Sequence, residues 1–271
     1  MAELGPVART AYYCCLLRAA DAARPDPLCG DRHAERFLDA AIRRELAPLL
    51  RFRGPSESNV ARHRLVDDLL RQAIAACPER RVFVVGAGFD TRAFRLPGGR
   101  WWEFDDPALF ALKEAQLPAA TAPNPLIRVA VDFERESLAT HLEPLAGDDE
   151  ALVVLEGVSM YLPDAALTAF AATLRRALPR AILVCDLMTP AFDRRFGRGI
   201  RRELASLGAR FAPRSSHPRT AIEAAGYRVR HCASIVDRAR EAGRLRIPRW
   251  LLATLLRELR DGYAIWVFGP D

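Results

Sequence analysis

Residues 81–105, RVFVVGAGFDTRAFRLPGGRWWEFD, contain the pattern that decides the fold. The apolar run at 82–85 is typical of a buried parallel strand, because helices cover both faces of such strands. Gly86 and Gly88 follow directly, and glycine there permits a tight turn and a close approach of a ligand to the backbone. The segment therefore predicts a strand, a glycine turn and a helix, as in a nucleoside-binding half-sheet.

A second strand is predicted at 101–104, with acidic residues at its end. Glu103 and Asp105 follow Gly86 by 17 and 19 residues. In dinucleotide folds an acid about 20 residues beyond the glycines binds the ribose hydroxyls. Residues two apart on an ideal strand point to the same face, so this spacing leaves both acids as candidates.

The glycine turn differs from the phosphate-binding GxGxxG pattern. It contains the sequence GAGFDTR, with Asp90 where a pyrophosphate would have to lie. A carboxylate is unfavourable beside a phosphate but acceptable near a cation or an amine. The turn therefore favours a positively charged nucleoside, such as S-adenosylmethionine, and leaves a nicotinamide oxidoreductase as an alternative.

Three ordered motifs give a more specific resemblance. They are VVGAGFDTRAFRL at 84–96, WEFDDP at 102–107 followed by Lys113, and LEGVSMYL at 155–162. Together with residues 16–38 they resemble the leucine carboxyl methyltransferase family, S-adenosylmethionine-dependent O-methyltransferases whose bacterial members methylate polyketides and other small metabolites. The resemblance covers roughly residues 10–190 and implies an α/β fold of the class I methyltransferase (Rossmann-like) type.

The resemblance also implies the residues of the cofactor site. The candidates are Arg18, Arg62, Gly86, Gly88, Asp105, Asp132, Phe133 and Glu156. Arg62 would pair with the methionine carboxylate, because a guanidinium binds a carboxylate bidentately. Glu156 would contact the cofactor's amino group. Asp105 is the family's match for the ribose acid.

Other roles stay open at this stage. Asp132 would bind the adenine amine while Phe133 packs on the ring, although Asp132 could instead cap the following turn. Arg18 and Arg62 could also be surface residues. Tyr161 is a candidate for the acceptor pocket or for packing on the lid.

The rest of the chain completes the expected fold. Helices are predicted at 8–23 and 32–50, a polar linker at 54–59, and a third helix at 60–77. We expect residues 1–59 to cover the cleft of a methyltransferase domain at 60–271, with an insertion at about 188–217 acting as a helical lid. Further strands complete a seven-stranded sheet, of which the last runs antiparallel.

Composition narrows the class of protein. The 271 residues carry a net charge of +6, but the basic stretches at 192–202 and 228–249 lack the interleaved aromatics of a nucleic-acid platform. There is no apolar run of membrane-spanning length and no secretory signal. The six cysteines show no metal spacing. These features predict a cytoplasmic enzyme with no metal, no membrane partner and no nucleic-acid partner.

The expected reaction is methyl transfer to an oxygen of a small acceptor. A carboxylate acceptor needs no general base, and none of the five histidines lies in a motif that points to the site. We therefore expect a polyketide-like or aromatic carboxylate or hydroxyl acceptor, as in antibiotic biosynthesis. A protein carboxyl methyltransferase, and a methyltransferase fold that binds the cofactor for a non-methylating step, are the alternatives.

Overall fold

The computed structural model describes residues 5–133, 135–206, 208–214 and 217–271. Its strands form one sheet in the order β3-β2-β1-β4-β5-β7-β6. The strands are β1 Arg81–Val85, β2 Arg100–Asp105, β3 Leu126–Ala130, β4 Leu152–Leu155, β5 Ile182–Met188, β6 Tyr227–Ser234 and β7 Tyr263–Pro270. Strands β1 to β5 pair in parallel, whereas β7 is antiparallel to both β5 and β6. The predicted class I methyltransferase fold is confirmed.

Helices cover both faces of this sheet. They are α1 Pro6–Ala22, α2 Ala40–Leu46, α3 Arg53–Ala76, α4 Arg92–Arg95, α5 Pro107–Gln116, α6 Leu138–Leu142, α7 Asp164–Ala177, α8 Pro190–Phe196, α9 Arg198–Ser206, α10 Arg219–Glu223, α11 Ile235–Glu241, α12 Arg249–Ala253 and α13 Arg257–Asp261. Short 3-10 helices occur at Arg32–Phe37, Ala47–Arg51, Ala119–Thr121, Glu143–Leu145 and Ser159–Tyr161.

Two separate hydrophobic layers result from the alternation of side chains along the strands. Val82 and Val84 pack in one layer with helices α1 and α3, and Phe83 and Val85 pack in the other with α7. Successive side chains of a strand point to opposite faces, so a continuous apolar run fills both layers.

Two local predictions were wrong. Residues 54–59, expected as a linker, form the first turns of α3, and the expected boundary at residue 59 lies inside this helix. Pro55 is accommodated because the first helical turn needs no intrahelical partner for its N–H groups. The single helix expected at 32–50 is broken at Leu38, which is extended, and Asp39 then caps α2 by accepting from the backbone N–H groups of Ala41 and Ile42.

The segment expected as a lid, 188–217, contains α8 and α9 in its described part. Residues 215 and 216, at its end, lie outside the described residues. No helix in the described ranges combines the length and the apolar character that a membrane crossing needs.

Candidate functional site

A cleft lies at the carboxyl ends of β1, β2 and β4, where open α/β sheets bind their ligands. Its cavity measures about 170 Å³. Helices α1 and α3 close it from above. The lining residues are Ala8, Thr10, Ala11, Cys14, Arg18, Arg62, His63, Val84, Gly86, Ala87, Gly88, Phe89, Asp90, Asp105, Leu109, Phe133, Glu156, Gly157 and Val158. We call this cavity the cofactor cleft.

The glycine turn forms the floor of the cofactor cleft. Gly86 has φ +67°, and a Cβ there would lie 2.4 Å from Cγ2 of Val158. Gly88 has φ +49°, and its Cβ would lie 3.2 Å from Cβ of Ala11. Both positions therefore need glycine, for backbone conformation and for the closeness of their neighbours.

The structure separates the two acidic candidates at the end of β2. Asp105 lines the cleft, where its Oδ2 accepts from the backbone N–H of Gly88 at 2.6 Å. Burial raises the pKa of Asp105 despite this bond. Glu103 lies outside the cleft lining and accepts instead from Nζ of Lys113 at 2.7 Å and Nε of Arg128 at 3.1 Å. Asp105 is thus the acid placed to meet a ligand.

Arg62, from α3, is held by carboxylates from two other elements. Its Nε donates to Oε1 of Glu156 at 3.0 Å, and its Nη1 donates to Oδ2 of Asp186 at 3.1 Å and to the hydroxyl of Tyr263 at 2.7 Å. The Tyr263 hydroxyl in turn donates to Asp186 at 2.5 Å. Nη2 of Arg62 donates only to Sγ of Cys14 within the described residues, at 3.7 Å. This nitrogen is therefore the part of the guanidinium that a ligand carboxylate could use.

A second arginine that is buried beside the cleft, Arg92, was not among the predicted cofactor-site residues. Its Nε donates to Asp67 at 2.6 Å, and its Nη groups donate to Asp90 and Glu156, both at 2.5 Å. Burial opposes the charged form of Glu156, but the charges of Arg92 and Arg62 and a hydrogen bond from His63 outweigh it and hold the pKa of this carboxyl well below its usual range. Asp90 is therefore already paired with a cation before any ligand arrives.

His63 also lines the cofactor cleft, although it lies in none of the sequence motifs that point to the site. Its ring nitrogens lie 2.7 Å from Arg92 and 2.8 Å from Arg95. Burial and then the charge of Arg92 lower the pKa of His63. The imidazole is therefore neutral and fixed within the network, which makes it a positioning group.

The buried network carries an excess of negative charge. Four buried arginines, Arg18, Arg62, Arg92 and Arg95, face five carboxylates, Asp31, Asp67, Asp90, Glu156 and Asp186, and the half-exposed Arg71 lies 3.6 Å from Asp67. Asp105 adds a further carboxylate at the cleft. A cleft with this balance favours a ligand of net positive charge.

The remaining candidates occupy different positions. Arg18 is buried, pairs with Asp31 at 2.9 Å and donates to the carbonyl of Phe89 at 2.6 Å, so it braces the glycine turn. Phe133 lines the cleft and is 47% exposed, which leaves a ring face available to a ligand. Asp132 is not among the lining residues, and its carbonyl accepts from two N–H groups of the following turn. Its adenine role stays a prediction.

A second cavity, the acceptor cavity, adjoins the cofactor cleft. It measures about 330 Å³ and shares Thr10, Cys14, Arg62 and Gly157 with the cleft. Its other lining residues are mostly apolar: Tyr13, Gly54, Pro55, Ser58, Asn59, Met160, Tyr161, Met188, Phe192, Phe196, Gly197, Ile200, Leu204, Phe211, Val236, Leu245, Ile247, Leu259 and Tyr263. Within this described lining, Arg62 is the one charged side chain.

Tyr161 lines the acceptor cavity, and its hydroxyl is 3.4 Å from Oγ1 of Thr10, while its role towards an acceptor stays a prediction. Burial raises the pKa of Tyr161 to about 12. Burial also raises the pKa of Tyr263 well above its usual range. Both phenols are therefore neutral at pH 7, where they can donate hydrogen bonds.

Sequence reasoning missed Arg92, Asp186 and Tyr263. Arg92 lies in the quoted glycine motif and Asp186 ends an apolar strand, so each had a local signal. Tyr263 had none, because it meets Arg62 across 201 positions of sequence through the antiparallel pairing of β7. In the parts of the chain that the structure describes, no three metal-ligating side chains come together.

Two relatives with a recorded name are similar to this chain in sequence. A candidate S-adenosyl-L-methionine-dependent methyltransferase of Streptomyces coelicolor is 31% identical over 192 residues, which are 64% of this chain and 62% of the relative. Another from the same organism is 35% identical over 174 residues, 56% of this chain and 58% of the relative. The matches thus span about 60% of these curated relatives, whose named methyl donor agrees with the predicted cofactor.

A solved structure and a family profile extend this comparison. A DUF574 family protein from Streptomyces avermitilis has a TM-score of 0.59 with 14% identity, over 95% of this chain and 97% of that chain, which shows a shared fold alone. The sequence profile of the leucine carboxyl methyltransferase family matches residues 11–175, more than half of the chain. With the motifs at 84–96, 102–107 and 155–162 all inside that match, this chain belongs to the leucine carboxyl methyltransferase family.

Proposed function

We propose that this protein transfers a methyl group from S-adenosylmethionine to an oxygen atom of a small, largely apolar acceptor. The observation that carries the proposal is that two cavities of different polarity adjoin each other. An acid-rich cofactor cleft meets an apolar acceptor cavity along Thr10, Cys14, Arg62 and Gly157. Methyl transfer needs two ligands that meet end to end, and this arrangement provides a place for each.

The residues of the cofactor cleft fit S-adenosylmethionine. Asp105 would hold the ribose hydroxyls, Phe133 would pack on the adenine, and Nη2 of Arg62 would face the methionine carboxylate. The excess of carboxylates in the surrounding network suits a ligand that carries a sulfonium and an ammonium group. When bound, the cofactor would supply an activated methyl group.

The protein's own contribution to this reaction is position and the exclusion of water. Orientation of two reactants can be worth about 7–11 kcal/mol of the barrier. Arg62, Glu156 and Asp186 form a rigid frame between the two cavities, with Asp186 also accepting from the backbone N–H of Gly157 at 2.8 Å. Helices α1 and α8 and the chain around Phe211 enclose the acceptor.

The acceptor cavity also constrains the acceptor's chemistry. Its described lining contains no Asp, Glu or His that could act as a general base, and Tyr161 is neutral. An acceptor that is already anionic at pH 7 avoids the need for such a base. We therefore favour a carboxylic acid or an acidic hydroxyl on an aromatic or polyketide-like body.

Two measurements test the proposal. Calorimetry should show saturable binding of S-adenosylhomocysteine and none of NAD or NADP. A panel of aromatic and polyketide-like acids and phenols should then accept labelled methyl from S-adenosylmethionine. Binding of NAD alone would refute the cofactor assignment. Transfer only to a protein C-terminus or to RNA would refute the small acceptor, and cofactor binding with no transfer would favour a non-methylating reaction.

A further inference from the structure

A cluster of arginines surrounds the outer side of the acceptor cavity and has no role in the proposed methyl transfer. Residues 192–210 contain six arginines against two acidic residues. Beside the acceptor cavity lies a more open one of about 470 Å³. It is lined by Ala205, Phe211, Arg198, Arg201, Arg202 and Arg210, and we call it the arginine cavity.

Most of this positive charge is not balanced within the described residues. Arg201 pairs with Asp193. Arg198, Arg202 and Arg210 form no ion pair with any carboxylate that the structure describes, and all three are exposed. Like charges gathered around one concavity repel one another, so an anion bound between them would lower the electrostatic energy. Guanidinium groups match phosphate oxygens bidentately, which makes phosphate a suitable anion.

Phe211 connects the arginine cavity to the acceptor cavity, because its side chain lines both. The ring packs edge-on against Tyr161, with centroids 5.5 Å apart. The backbone N–H of Ala212 donates to the carbonyl of Met160 at 2.9 Å and fixes this segment to the site. Phe211 is therefore the one residue common to the two described linings, and an acceptor that extends from the inner cavity beside this ring would reach the arginines.

We infer that the acceptor carries a phosphate or pyrophosphate ester, which Arg202 and Arg210 bind while the apolar part occupies the acceptor cavity. The inference rests on the proposed methyl transfer for the identity of the inner cavity. A phosphate monoester carries about −1.5 to −2 charge at pH 7. A site with several arginines therefore suits a phosphate better than it suits a carboxylate, which carries one negative charge. The arginines converge on one concavity with one aromatic ring, unlike the extended stacking surface of a nucleic-acid site.

Inorganic pyrophosphate is the probe for this site. Its dissociation constant should be measured by calorimetry at low salt for the wild type and for the double variant Arg202→Gln/Arg210→Gln. The matched control is Arg36→Gln/Arg44→Gln, which removes two other exposed arginines that line none of the cavities described above. We expect the cavity variant to bind pyrophosphate at least about tenfold more weakly, and the control to bind it as the wild type does.

Binding of S-adenosylhomocysteine in the same samples separates the two proposals. Unchanged binding of this nucleoside in the cavity variant, with weakened pyrophosphate binding, would support the inference. Equal loss of pyrophosphate binding in both double variants would overturn it, because the effect would then be one of net charge. Tighter binding of a 20-nucleotide RNA than of pyrophosphate would also overturn it. Absence of nucleoside binding in the wild type would instead overturn the proposed methyltransferase function.

Discussion

Replacement of Asp105 by alanine tests which acid of β2 holds the cofactor. Asp105 forms no ion pair within the described ranges and accepts from the N–H groups of Gly88 and Asp106 at 2.6 and 2.7 Å. Loss of hydrogen bonds to a charged acceptor costs about 1.5–3 kcal/mol, which is about 10–150-fold in affinity. We therefore expect Asp105→Ala to weaken binding of S-adenosylhomocysteine by that factor. Its thermal midpoint should change little, because removal of a desolvated carboxylate offsets the lost backbone bonds.

Glu103→Ala is the matched control, two residues earlier on the same strand. It would leave Lys113 fully buried without its carboxylate, and breaking a buried ion pair costs about 3–5 kcal/mol. At about 2.1 cal/mol/K of unfolding entropy per residue, this corresponds to a fall in thermal midpoint of about 5–9 °C for a chain of 271 residues. Affinity for the nucleoside, measured below that midpoint, should stay within about twofold of the wild type.

In calorimetry, Asp105→Ala should therefore lose affinity for the nucleoside whereas Glu103→Ala keeps it. In thermal unfolding followed by circular dichroism, Glu103→Ala should lose stability whereas Asp105→Ala keeps it. Loss of affinity in Glu103→Ala with none in Asp105→Ala would refute the assignment of Asp105. Large destabilisation by both variants with unchanged affinity would mean that neither acid meets the cofactor.

Two further predictions concern the buried ion network. Arg62→Ala should weaken binding of S-adenosylhomocysteine by about tenfold but leave adenosine binding within about twofold, because adenosine lacks the carboxylate that Nη2 would contact. Arg64→Ala, which replaces a half-buried arginine on the same helix, is the control. Equal losses of affinity for both ligands in Arg62→Ala would indicate a packing effect. The pKa of Asp31 is lowered to about 2 in the folded protein from 3.8 in the unfolded chain, and the pKa of Glu156 is also lowered. The stability that these carboxylates contribute is therefore fully present above about pH 5 and is lost as the pH falls from about 4 towards 2, and the thermal midpoint should fall with it. A thermal midpoint that instead declines steadily from pH 7 would contradict this.

The sheet and the glycine turn could be predicted because their signals are local. The central strands β1, β4 and β5 are largely apolar runs, and the two glycines follow β1 directly. The error at 54–59 had a local cause as well. Gly54, Pro55 and the polar residues after them are typical of a loop, yet they are equally compatible with the first turn of a helix, where the tertiary contacts of α3 place them.

The ion network could not be predicted because its partners are distant in sequence. Arg92 meets Glu156 across 64 positions, and Arg62 meets Asp186 across 124. The spacing of Glu103 and Asp105 was equally uninformative, since an ideal strand points both to one face. In the structure Glu103 pairs with Lys113 of α5 and Arg128 of β3 and does not line the cleft.

The cofactor cleft and the acceptor cavity differ in how much of their lining falls within the family match. Every residue that lines the cofactor cleft lies between Ala8 and Val158, almost entirely inside the family match at 11–175. Twelve of the 23 residues that line the acceptor cavity lie beyond residue 175, from Met188 to Tyr263. The arginine cavity is formed wholly by that later part of the chain. Family membership therefore bears on the methyl donor, whereas under the proposed function the acceptor would be selected by α8, α9 and the segments around α11 and α13, which lie outside the family match.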